Sequence, residues 1–127
     1  MKLRIRDNSI RLRLTRGEVD TLRAQGAVSA RVGFPDGGAL SYLCESVPRL
    51  AAPSAAFDGK TLSVSLPAAE VDAWAGSEQV SISADTALED GSPLALLVEK
   101  DFACLAPRAG EDESDMFAHP LAGQESC

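Results

Sequence analysis

At 127 residues and 45% hydrophobic content, the chain is long enough for one domain with its own core and too short for two ordinary ones. Only six aromatics are present (Phe34, Tyr42, Phe57, Trp74, Phe102 and Phe117), so the core must be built from Leu, Val, Ile and Ala, and nucleic-acid binding by base stacking is disfavoured. The net charge of −7 is unevenly spread: residues 1–34 carry eight of the twelve Lys and Arg against three acids, a net +5, while the rest carries four against sixteen, a net −12.

The opening Met1-Lys-Leu-Arg-Ile-Arg6 has no continuous apolar region of the signal-peptide kind, and no later run approaches membrane-spanning length. Cys44, Cys104 and Cys127 are an odd number, which favours reduced thiols. The expectation is a cytoplasmic protein without a membrane partner.

Taken in chain order, Lys2–Arg6 and Ile10–Leu14 each alternate charged and apolar residues around the turn-forming Asp7-Asn8-Ser9, which predicts a hairpin. Thr15 with Glu18 three positions on is a capping box, Val19 and Leu22 give the helix an inner face, and Gly26 ends it. Ala27–Phe34 and Ala39–Val47 read as strands around the turn Pro35-Asp36-Gly37-Gly38. Ala55–Phe57, the turn Asp58-Gly59 and Thr61–Leu66 form the next hairpin. Pro67 suits the first turn of a second helix carrying Val71 and Trp74 and stopping at Gly76. Gln79–Ala84 and Leu94–Lys100 are the last two strands. After Lys100 the periodicity stops, and Glu111, Asp112, Glu113 and Asp115 mark an acidic, irregular tail that serves as a solvated tether or lies over the basic front.

This order is β-β-α-β-β, twice. The Leu14-Thr-Arg-Gly-Glu18-Val-Asp20 segment recurs as Leu66-Pro-Ala-Ala-Glu70-Val-Asp72, 52 residues later, and the offset continues through Leu22/Trp74, Val28/Val80 and Ser29/Ser81. The reading is an α+β domain over residues 1–103, with repeats at about 2–47 and 54–100 and a tail at 104–127. Its eight mostly antiparallel strands are expected to form a closed or nearly closed barrel, because closure removes strand edges. Leu3, Ile5, Ile10, Leu12, Leu14, Leu62, Val64 and Leu66 share one strand parity; Arg and Ser share the other, facing either a lumen or solvent.

The 52-residue offset pairs Arg11 with Ser63, Arg13 with Ser65 and Arg31 with Ser83. Confining the cations to one half suits an asymmetric anion site built from Arg4, Arg6, Arg11, Arg13 and Arg31, whose guanidinium forks match phosphate or carboxylate. Solvated strand faces account for the same pattern.

The duplicated order of elements resembles the CYTH or triphosphate tunnel family, whose eight-stranded tunnels are lined with charged side chains. That resemblance implies a metal-dependent phosphohydrolase, with Glu99 and Asp101 as the available metal-holding carboxylates; the family's opening glutamates are replaced here by Lys2, Arg4 and Arg6. The segments Met1–Thr15 and Lys100–Arg108, with Glu111, Asp112 and Asp115, are similar to an uncharacterised family of short bacterial proteins. This resemblance implies a bacterial cytoplasmic setting and contributes no mechanism.

Cys104, His119 and Cys127 are suitable zinc ligands by type, but lack a Cys-x-x-Cys knuckle, and Cys104 with His119 lacks the orienting partner that a nucleophile and base require. Gly37-Gly38 lacks the lysine of a phosphate loop. No catalytic residue and no cofactor is assigned, with Mg or Zn as the candidates if one is needed. The leading expectation is a non-enzymatic binding module for a small anion or an acidic protein segment; the alternative is the phosphohydrolase.

Overall fold

A computed structural model of the chain describes residues 1–102. Ten elements follow in the expected order: β1 (Lys2–Arg6), β2 (Ser9–Leu14), α1 (Arg16–Gln25), β3 (Ala27–Gly33), β4 (Ala39–Val47), β5 (Ser54–Phe57), β6 (Thr61–Pro67), α2 (Ala68–Ala75), β7 (Ser81–Ala87) and β8 (Pro93–Lys100).

The α1 boundaries follow from its caps. The Thr15 hydroxyl accepts from the Glu18 backbone N–H at 3.3 Å, and Glu18 Oε1 accepts from the Thr15 N–H at 2.9 Å, so two donors at the helix start are satisfied reciprocally. At the other end Gly26 adopts φ 90°, a left-handed cap that costs a glycine nothing. In α2, Pro67 sits at the N-cap itself, one position before the expected first turn, and offers no capping side chain. That shorter helix is held by burial of Val71 and Trp74.

The strands do not close into a barrel. They form two separate four-stranded sheets, ordered β1-β2-β8-β7 and β3-β4-β6-β5. The outer pairs are antiparallel hairpins, but the central pairs, β2 with β8 and β4 with β6, are parallel, so each sheet is mixed and draws one hairpin from each half of the chain. The expected reason for closure, protection of edges, is met by other means. Lys2, Arg4 and Arg6 lie on edge strand β1, Arg31 on β3 and Asp85 on β7, while β5 is only four residues long. Charged and very short edge strands resist pairing with another chain.

The apolar parity of both sheets faces one shared core. Leu12 and Leu14 of β2, Val64 and Leu66 of β6, Cys44 of β4 and Val98 of β8 join Leu22 of α1 and Trp74 of α2, all buried. Among the described residues there is no lumen for the arginine parity to line; it lies on the face away from the core.

Strand registers relate the two halves of the chain by two different spacings. Leu3 opposite Leu12 corresponds to Ala55 opposite Val64, 52 residues on, whereas Val28 opposite Cys44 corresponds to Ile82 opposite Val98, 54 residues on. The net two extra residues lie between β6 and β7, where α2 is two residues shorter than α1 and the linker after it is four residues longer. Val80, aligned with Val28 by sequence, has a side chain 50% exposed, and Ile82 at 4% takes the core position. Val80 contributes through its backbone: its carbonyl accepts from Trp74 Nε1 and from the Lys100 N–H, both at 3.0 Å.

Ile82→Ala is expected to cost about 2–5 kcal/mol, by lost burial and a residual cavity, whereas Val80→Ala should stay within about 0.5 kcal/mol; urea unfolding of the two variants measures the difference. A second test concerns acid. Burial raises the Glu18 carboxyl, but the Met1 ammonium and the Thr15 backbone N–H outweigh it and hold the group below its ordinary value. Its contribution is thus complete above the ordinary carboxylate range and is lost as pH falls through the depressed folded value. Glu18→Gln, which preserves the capping box, should be less stable than the parent at neutral pH and equal to it in strong acid, as read by thermal melts across pH.

Candidate functional site

Period-two alternation on β1 and β2 sends Leu3, Ile10, Leu12 and Leu14 inward and the basic residues to the opposite face. The β1–β2 register then sets Lys2 opposite Arg13 and Arg4 opposite Arg11, with Arg6 opposite Ser9. The parallel β2–β8 register continues these rows, placing Glu99 beside Arg13 and Leu97 beside Arg11. Five cations consequently occupy two adjacent strands on one outer face. Like charges directly opposite one another destabilise a sheet.

Glu99 offsets part of that cost. It is 9% exposed, accepts from Arg13 Nε at 2.6 Å and lies 3.7 Å from Arg11 Nε. Asp101, the next residue of the same parity, pairs with Lys2 at 3.1 Å. Both carboxylates considered as metal ligands are therefore engaged by cations. Among the described residues no group of three or more His, Cys, Asp or Glu side chains is placed to hold a metal ion. Cys104, His119 and Cys127 lie outside the described residues.

The four arginines of β1 and β2 are brought together as expected, with Arg4 and Arg6 exposed and Arg11 and Arg13 partly buried. Arg31 is not with them, because β3 belongs to the other sheet, where it lies opposite Ser41. The 54-residue spacing also changes its counterpart from Ser83 to Asp85. A shallow depression of about 410 Å³ on the arginine-bearing sheet is lined in part by Arg11, Ser83 and Asp85.

The corresponding place on the second sheet makes a direct comparison. There the β4–β6 register sets Glu45 beside Ser65, and Ser65 Oγ donates to Glu45 Oε1 at 2.7 Å. Glu45 corresponds to Glu99 and Ser65 to Arg13. A carboxylate stands in this row on both sheets; a cation stands beside it on one only. Lys2 was legible as a member of the basic face from its parity with Arg4, but Glu99 as their counter-ion was not, since its position depends on a strand pairing between residues 86 apart.

Cys44 sits at the centre of the core, fully buried. Desolvation, aided by the neighbouring Glu45 charge, pushes its thiol up to about 12. The thiolate is the reactive species, so Cys44 should resist alkylation in the folded protein at neutral pH and be modified only in denaturant. Peptide mapping after iodoacetamide treatment distinguishes it from Cys104 and Cys127.

A family model, a family of unknown function called DUF7009, matches residues 1–121, and the chain belongs to that family. No curated protein and no solved structure matches it. Among the described residues no helix is long and apolar enough to cross a membrane.

Proposed function

We propose that this member of DUF7009 is a non-enzymatic binding module whose β1–β2 face grips a small anion or an acidic protein segment. The observation that carries the reading is the register that stacks Lys2 against Arg13 and Arg4 against Arg11, with Arg6 alongside. Such stacking opposes folding. An anion bound across the rows reverses the sign of that cost, and guanidinium forks give it a directional, bidentate grip on phosphate or carboxylate oxygens.

Exposed Arg4 and Arg6 supply the accessible donors, while Arg11 and Arg13, steadied by Glu99, form the inner row. The acidic run Glu111, Asp112, Glu113 and Asp115 provides a segment of suitable charge in the same chain, so a ligand from outside competes with the protein's own carboxylates. The scaffold reads as an internal duplication in which one half acquired the cations; the equal element order and matching registers of the halves support this. The hydrolase alternative draws no support from Glu99 and Asp101, each of which is paired to a cation.

Thermal melts with tripolyphosphate, citrate and an Asp/Glu-rich peptide test the proposal. A ligand at a hundredfold its Kd stabilises the folded state by about 2.7 kcal/mol, and Arg4→Glu with Arg6→Glu should abolish that shift while Arg31→Glu preserves it. Equal loss in both variants, or no shift with any of the three compounds, contradicts the reading. A shift that requires both tripolyphosphate and magnesium favours the hydrolase instead.

A further inference from the structure

The two parallel strand pairs have a geometric consequence at the end of the molecule away from the helices. Because β2 runs parallel to β8 and β4 parallel to β6, all four hairpin turns gather at that end. The helices fill the space where β2 and β6 finish; among the described residues nothing equivalent fills the space where they start. An apolar groove of about 340 Å³ opens there between the sheets, near the lower bound of the roughly 300–1,000 Å³ usual for binding pockets.

Its lining is built from corresponding residues of the two halves: Ile5 with Phe57, Ile10 with Leu62, and Leu40 with Leu94. Ile5 and Phe57 are 61% and 62% exposed although both point along the core-facing parity of their strands. Exposing two large apolar side chains at one mouth is unfavourable, and clustered exposed apolar surface marks interaction sites.

The turns around the mouth decide what it would accept. They carry Asp7, Asp36, Asp58, Glu89 and Asp90 against Lys60 as their cation. Asp58 accepts the Lys60 and Thr61 N–H groups, and Asp90 accepts from Ser92, and these hydrogen bonds hold both carboxyls below their ordinary values. An occupant must therefore be apolar where it enters and positively charged around that point. The chain's own residues 103–127, with five acids against Arg108, have the wrong sign.

We propose that the groove docks a basic amphipathic segment of a protein partner, with aliphatic side chains entering between Ile5 and Phe57 and Lys or Arg side chains meeting the turn carboxylates. This surface is distinct from the outward arginine face, and its occupant has the opposite charge.

The test uses the full-length chain and two fluorescein-labelled synthetic peptides that share one Leu pattern, the first interleaved with Lys and the second with Glu, in an anisotropy titration. The Leu/Lys peptide should bind, weaken with added salt, and lose at least tenfold in affinity on Phe57→Ser and on Ile5→Ser, substitutions at exposed positions that leave the melting temperature near the parent's. Glu70→Gln, at an exposed position of α2 away from the turns, should leave binding unchanged. Equal binding of the two peptides overturns the proposal, as does unchanged binding in both groove variants. Sedimentation showing a parent dimer that Phe57→Ser dissociates, with no displacement by the Leu/Lys peptide, would assign the groove to a second copy and overturn it as well.

Discussion

The parallel pairing of β2 with β8, and its counterpart between β4 and β6, is the constraint on which the rest of the molecule depends. Each pairing joins a strand from one half of the chain to a strand from the other, so neither half contains a complete sheet. The helices are the crossovers this arrangement needs: α1 carries the chain from β2 in one sheet to β3 in the other, and α2 returns it from β6 to β7. With both helices packed into the common core, the apolar faces of the sheets are covered from within. Contacts of such long sequence separation must overcome loop-closure entropy before they stabilise anything, which makes folding slower than in proteins with local contacts.

The same pairing sets the electrostatics. It brings Glu99, from the acidic part of the chain, into the row occupied by Arg13, from the basic part. The uneven charge seen along the sequence is thereby partly neutralised within one sheet. The corresponding row of the other sheet, with Ser65 donating to Glu45, shows that the scaffold needs no cation at this place. The arginine rows of β1 and β2 thus have no cationic counterpart in this row of the second sheet.

Local chemistry made much of the fold legible in the sequence. The capping box of Thr15 and Glu18, the left-handed Gly26 and the turn residues of each hairpin act over a few positions, and each of these elements formed where its residues indicated. What lay beyond reach were relations between distant strands. Alternation identifies which side of β8 carries Glu99 but not which strand lies beside it, and it cannot distinguish a closed barrel from two sheets. The limit of the 52-residue spacing is equally concrete: Val80 matches Val28 in type, while the net two extra residues between β6 and β7 give the buried position to Ile82. The separation of Arg31 from the other arginines was out of reach for the same reason as the two-sheet arrangement, since it depends on the sheet assignment of β3.

The turn end and the arginine face present opposite signs, the first rimmed by Asp and Glu around an apolar mouth and the second carrying cations steadied by Glu99. The most direct measurement is an amide chemical-shift titration of the full chain with tripolyphosphate. If the β1–β2 cations form the anion site, the largest perturbations fall on residues 2–6, 9–14 and 97–99, while β3 to β6 stay quiet. Perturbations centred on β3 and β4, or spread evenly over all exposed Lys and Arg, would contradict it.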